Sequence, residues 1–317
     1  MSRLPICRAD QLAERPAEQH WLIEGLWGEQ AVGIVGGEPK CCKSFLALDL
    51  AVAVASGADC LRRFRPAATG PVLLFSGEDP LAVVRRRLEG IAGAAGIAFA
   101  GLDVHVITAP SLRLDLGADQ QRLIDAVDAL RPKLLVLDPF VRLHRIDENA
   151  AAEVAPLLGY LRGLQRCFHT AVLLVHHARK GAGHLRAGQA LRGSSELHAW
   201  GDSNLYLRRK ADRLHLTVEH RAAPSGEETL LELAIHGQGL ALHPADAPSD
   251  AVNLDLAPTA LERIEQVLAS TSRALSQREL RGACHMRART VGQALSELID
   301  SGRVLRAGDG YRLAGNP

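Results

Sequence analysis

The sequence predicts an α/β fold: a mostly parallel sheet covered by helices on both faces, followed by a small C-terminal domain of three short helices and a hairpin. Three observations predict it. From residue 31 to about 220, apolar runs of strand length alternate with helix-length periodic segments. The strand runs are near-continuously apolar, as strands buried on both faces must be. The first of them, Ala31 to Val35, runs through a glycine-containing turn, Gly36-Gly37-Glu38-Pro39-Lys40-Cys41-Cys42, into Lys43-Ser44 and an apolar helix that stops near Gly57.

At 317 residues the chain has room for one domain of about 200 to 250 residues and a smaller one. Hydrophobic residues make up 47% and charged residues 23%, the composition of a soluble globular protein. Formal net charge is +1, so any nucleic-acid binding must come from local patches. The six cysteines show neither zinc nor disulfide-framework spacing and read as reduced thiols of a cytoplasmic protein. The start of the chain carries Arg3, Arg8 and Asp10 in place of a signal peptide, and no run is apolar enough to span a membrane.

Residues 1–30 form a mixed N-terminal segment containing Trp21 and Trp27, which pack either on the core or on a neighbouring subunit. The core domain covers 31–243. Its parallel strands are expected at 31–35, 71–76, 104–108, 133–137, 170–175 and 204–208, with helices at 44–56, 80–93, 118–130, 150–166 and 194–201. An antiparallel extension follows at 213–220, 230–236 and 240–243. Residues 244–258, rich in Pro and Asp without periodicity, are a linker.

The tail, 259–317, starts two helices on capping boxes, Thr259 with Glu262 and Ser276 with Glu279. A third helix, about 287–300, places Val291, Ala294, Leu295, Leu298 and Ile299 on one face, and a hairpin joins 303–306 to 311–313. This pattern resembles a winged helix-turn-helix domain. With nine Arg against six acidic residues, and Arg287 and Arg289 opening the third helix, it suits DNA; winged helices also serve as protein-contact modules.

The chemistry sits at the ends of the core strands. Strand, glycine-rich turn, Lys-Ser, helix is the context of a phosphate-binding loop, Gly37 to Phe45. Its backbone N–H groups and the helix dipole favour phosphate oxygens. Lys43 would reach the β- and γ-phosphates and Ser44 would ligate Mg²⁺. Cys42 stands where the G-x-x-x-x-G-K-[ST] pattern has its second glycine, and its Cβ crowds a backbone that often needs glycine's freedom. Asp79 before Pro80 reads as a helix N-cap, which leaves Glu78 to orient a water against the γ-phosphate. Lys133-Leu-Leu-Val-Leu-Asp138 has the Walker B form, whose carboxylate holds Mg²⁺. Of His176 and His177, side chains on opposite faces of a strand, one is expected to sense the γ-phosphate and the other to pack; His177 is taken as the sensor. The flexible basic stretch after it, with Arg179, Lys180, Arg186 and Arg192, either tracks a nucleic-acid backbone or is a solvated loop.

Together, Gly-Glu-Pro-Lys-Cys-Cys-Lys-Ser, Ser-Gly-Glu-Asp-Pro, Leu-Val-Leu-Asp-Pro-Phe, Val-His-His-Ala-Arg-Lys-Gly and Leu-Arg-Gly-Ser-Ser resemble the RepA-type hexameric replicative helicases of plasmids, which belong to the RecA-like P-loop ATPases. The similarity covers about residues 20–240. It implies a RecA-like P-loop NTPase core, ATP and Mg²⁺ at subunit interfaces, a homohexameric ring and single-stranded DNA in its channel. Lys43 and Ser44 would then bind phosphate and Mg²⁺, with Glu78 as catalytic carboxylate, Asp138 as Walker B acid and His177 as sensor. The position of the helicases' finger arginine reads Asp202 here, so a finger acting in trans must come from Arg192, Arg208 or Arg209. Arg179, Lys180, Arg186, Arg287, Arg289 and Arg306 are the expected DNA contacts. The added tail suggests DNA targeting in a mobile element. Two rivals stand beside the helicase: an ATP-switched DNA-binding regulator or loader without unwinding, and a RecA/KaiC-type mediator whose tail binds protein.

Overall fold

The computed structural model describes residues 6–12, 21–178, 195–210, 213–237, 239–245, 260–271, 273–284, 288–308 and 310–314. The expected linker at 246–258, the capping residue Thr259 and the basic stretch 179–194 lie outside the described residues. The chain divides into two units, Met1–Val252 and Asn253–Pro317.

In the first unit a short hairpin, β1 (Trp21–Ile23) and β2 (Trp27–Gly28), precedes the strands and helices of the core. These are β3 (Val32–Gly37), α1 (Lys43–Ser56), β4 (Val72–Ser76), α2 (Leu81–Ala94), β5 (Val104–Val106), α3 (Gly117–Leu130), β6 (Leu134–Asp138), α4 (Ala151–Phe168), β7 (Ala171–His177), α5 (Ser195–Trp200) and β8 (Ser203–Lys210). Then come β9 (Arg213–His220), β10 (Thr229–His236) and β11 (Gly239–Pro244). Among the described residues they form a nine-stranded sheet of order β11-β10-β9-β8-β3-β7-β6-β4-β5. From β8 to β5 the pairing is parallel; β8 to β11 is an antiparallel meander.

The near-continuous apolar strands are explained by two separate cores, one on each face. On β6, Leu134 and Val136 pack with α1 and α2, while Leu135 and Leu137 pack with α3 and α4. β7 divides the same way, Leu173 and Val175 to one side and Val172 and Leu174 to the other. The central β3 approaches β8 so closely that a Cβ on Gly33 would lie 1.7 Å from the Ser203 carbonyl oxygen. Only glycine fits there. Within α1, buried Asp49 receives Leu61 N at 2.7 Å and the Arg62 guanidinium; Arg62 also donates to the Leu242 carbonyl at 2.9 Å, tying α1 to β11.

Both tryptophans pack within this unit. Trp27 is fully buried and donates from Nε1 to the Ala31 carbonyl at 3.3 Å, and Trp21 meets His220 edge-on at 4.8 Å. One local expectation is corrected. Asp79 does not cap α2: Pro80, in extended geometry, holds the N-cap position without a side-chain cap, and its carbonyl accepts Val83 N and Val84 N. Asp79 instead takes two charge-assisted bonds from Arg87, at 2.5 and 3.2 Å, which outcompete neutral amides.

The second unit holds α6 (Ala260–Ala269), α7 (Gln277–Ala283), α8 (Ala288–Asp300) and the hairpin β12 (Val304–Ala307) with β13 (Gly310–Leu313). The capping box at Ser276 and Glu279 is present in both directions. Ile264, Leu268, Leu280, Val291, Leu295 and Leu298 make its core. Ile299, expected on the same face, is 39% exposed, since one further step of about 100° carries it past the buried stripe.

Candidate functional site

Parallel register brings the functional residues together. Gly37 at the end of β3 pairs with His177 at the end of β7, and Ser76 at the end of β4 pairs with Asp138 at the end of β6. Four adjacent strands, β3, β7, β6 and β4, thus finish on one line, the place where open parallel sheets collect ligands. A cleft of about 310 Å³ opens there. The loop residues Lys40 to Phe45 form one wall; Glu78, Asp79, Asp138 and His177 face them. Ser76, Arg87 and Val175 complete the lining.

The loop is open despite the missing glycine. Cys42 itself takes the left-handed conformation, φ +63°, ψ 24°, and its carbonyl accepts Leu46 N at 3.0 Å to start α1. Gly37 must remain glycine: a Cβ there would stand 2.4 Å from the Leu207 carbonyl oxygen and 2.6 Å from the Cys41 sulfur. Lys43 is buried, and its Nζ donates to the Glu38 carbonyl at 2.7 Å. Glu38 and Pro39 build the turn beneath the cleft without lining it. Burial pushes the thiols of Cys41 and Cys42 above the ordinary range, so both are neutral at pH 7 and put no anion into the cradle.

Asp138 is 8% exposed, and burial pushes its carboxyl up to about 6 against the opposing hydrogen bond from Ser44. A hydroxyl and a carboxylate in direct contact are hard oxygen donors of the kind Mg²⁺ takes alongside phosphate and water, so the residues present fit the ion. Glu78, half-exposed at the rim, accepts from Arg142 Nε at 2.9 Å. His177 is half-buried and faces the cleft, while His176 is buried with its ring 5.8 Å from that of Phe140. The two histidines point to opposite faces, as strand geometry requires.

Sequence reasoning missed Arg87. It lines the cleft, pairs with Asp79 and lies 5.0 Å over the Phe45 ring. The run Arg85-Arg86-Arg87 offered three guanidinium groups and nothing to choose among them. Arg208, on β8, is half-buried and does not line the cleft; its neighbour Arg209 acts electrostatically on Cys41 and Cys42. Asp202 is a structural hub, paired with Arg162 and Arg221 and accepting Val32 N at 3.2 Å. Arg179, Lys180, Arg186, Arg192 and Arg287 lie outside the described residues, and Arg289 is described only by its place in α8. Arg306 is exposed on β12, its guanidinium 5.9 Å from the Tyr311 ring. Among the described residues no helix is long and apolar enough to cross a membrane.

Residues 2–183 match the model of a family described as AAA domain. The chain belongs to that AAA domain family. The fold of this AAA domain is similar to the solved ATPase domain of a phage helicase, with a TM-score of 0.51 at 14% identity over 64% of this chain and 81% of that one. The phosphate turn, the Lys-Ser pair and the acidic strand ends therefore stand in an ATPase-type α/β domain with a nucleotide-binding cleft.

Proposed function

We propose that this AAA domain is a DNA-dependent motor, a RepA-like replicative helicase or DNA-remodelling ATPase of a plasmid, phage or other mobile element. The observation that carries the reading is the meeting of Lys43, Ser44, Glu78 and Asp138 around one cleft at the strand ends. Backbone amides of the turn and the first turn of α1 receive phosphate oxygens. Lys43 leaves the Glu38 carbonyl for the β- and γ-phosphates. Mg²⁺, held by Ser44 and Asp138, supplies charge neutralisation on the phosphates when bound. Glu78 orients the attacking water by accepting a hydrogen bond from it, and His177 reads the presence of the γ-phosphate. Hydrolysis then depends chiefly on positioning and charge, which suits a site made of one lysine, one buried acid and one rim carboxylate.

The DNA side of the reading rests on the order of the motifs and on the basic tail, read as a winged helix-turn-helix whose Arg289 and Arg306 meet DNA. The working form is a homo-oligomer, a hexameric ring with single-stranded DNA in its channel. The test is the ATPase rate with and without single-stranded DNA, alongside the mass of the nucleotide-bound assembly. Stimulation by DNA, fork unwinding and loss of turnover by about 100-fold or more in Lys43→Ala support the motor. A rate indifferent to single strands refutes it.

One observation favours a second reading. Asp202, where the resembled helicases carry a finger arginine, is engaged by Arg162 and Arg221. An ATP-switched DNA-binding regulator or loader would tolerate that loss. It would bind a specific duplex through the tail and show little unwinding.

A further inference from the structure

The bend after β4 carries Glu78 between two fixed neighbours. Gly77 N donates to the Asp138 carbonyl at 2.7 Å, and Asp79 is clamped by Arg87. Glu78 has no such backbone restraint of its own, sits in a bend without regular structure, and its side chain is 42% exposed. An unrestrained glutamate samples several rotamers, and a carboxylate that must aim one water loses rate to every one that points elsewhere.

The turn after β6 supplies the restraint. Arg142 lies four residues beyond Asp138, and its Nε donates to Glu78 Oε1 at 2.9 Å. Its stem occupies the space beside Gly77: a Cβ on that glycine would be 2.9 Å from Arg142 Cβ and 3.3 Å from its Cγ. The guanidinium therefore approaches Glu78 from outside the cleft, which Arg142 does not line. It engages Oε1, and no protein donor to Oε2 accompanies it among the described contacts. The stem fixes where the guanidinium stands, and the guanidinium fixes the carboxylate.

Resting on the functional reading above, we infer that Arg142 is the positioning residue for Glu78, holding one carboxylate oxygen so that the other faces the water at the γ-phosphate. Arg142 touches neither nucleotide nor water. As an ion pair exposed on both sides it adds little to folding stability, so its effect belongs to turnover.

The experiment compares parent, Arg142→Gln, Arg142→Lys, Glu78→Gln and the double variant Arg142→Gln/Glu78→Gln in the full chain. It measures Mg²⁺-dependent ATP turnover, affinity for a fluorescent ATP analogue, and the melting temperature. Arg142→Gln is expected to lower kcat by about 10- to 100-fold, the cost of a misplaced reacting group. KM, analogue affinity and melting temperature should stay near the parent's. Arg142→Lys should recover part of the rate, and adding Arg142→Gln to Glu78→Gln should change turnover by less than about twofold, since coupled residues lose their effects together. If Glu78→Gln abolishes turnover while Arg142→Gln matches the parent, the positioning role is refuted and the functional reading stands. A rise in kcat in Arg142→Gln also overturns it, since the contact would then restrain Glu78. Should Glu78→Gln turn over like the parent, the functional reading falls and this inference with it.

Discussion

Replacing Asp138 by Asn tests the electrostatics of the cleft directly. Asp138 is almost fully buried, and its carboxyl is raised from the ordinary 3.8 to about 6 in the folded chain, with burial the largest cause. A group that binds its proton more tightly folded than unfolded makes stability fall as pH rises between those two values. Above pH 6 the penalty is complete; below pH 4 it is absent. The rise from 3.8 to about 6, at about 1.4 kcal/mol per pH unit, amounts to about 3 kcal/mol held against folding at neutral pH. Asn keeps the shape and an oxygen for the Ser44 hydroxyl but carries no charge. In the nucleotide-free protein, Asp138→Asn should therefore gain about 2 to 3 kcal/mol at pH 7.5, or about 4 to 10 °C in melting temperature. The gain should vanish near pH 4, while Mg²⁺-dependent turnover is lost at every pH. Thermal unfolding of both proteins across pH 4 to 8 measures it. Equal or lower stability of the variant at pH 7.5, or a gain that persists at pH 4, refutes the reasoning. The same titration makes Mg²⁺-nucleotide affinity of the parent fall as pH drops below about 6, because a protonated Asp138 is no longer an anionic ligand.

Three further outcomes are expected. Asp49→Ala leaves the Arg62 guanidinium uncompensated inside the first unit and should cost about 3 to 5 kcal/mol in urea unfolding. Replacing Asp49 and Arg62 together by Leu and Met should cost clearly less. Gly37→Ala drives a methyl group into the Leu207 carbonyl, so nucleotide affinity measured by fluorescence titration should collapse even where far-ultraviolet circular dichroism keeps its helical signal. Ser276→Ala removes the first-turn cap of α7 and should lower the stability of the second unit by about 1 kcal/mol, read from calorimetry of the full chain.

Much of this protein was legible from residue order alone. Strand and helix positions follow from local periods: every core strand expected between 31 and 243 is present within a few residues, because apolar runs of that length have few other ways to be buried. The phosphate turn was readable because a glycine-bearing strand-to-helix connection followed by Lys-Ser is local chemistry, and so was the capping box at Ser276 and Glu279. What lay beyond reach was pairing across distance. No local pattern places β7 between β3 and β6, yet that order sets His177 between the phosphate turn and Asp138. The Asp79 cap was misread because Arg87, two helical turns away, offers a stronger bond than any cap. Asp49 with Arg62, Asp202 with Arg162, and Glu78 with Arg142 are charges whose partners are chosen by packing, and a sequence carries no record of which carboxylate meets which guanidinium. Thus the sequence by itself determined the elements and the phosphate turn, because those depend on neighbours along the chain. The tertiary structure alone decided which strand ends lie side by side, how deeply Asp138 is buried and where each charge finds its counterpart, because those depend on neighbours in space.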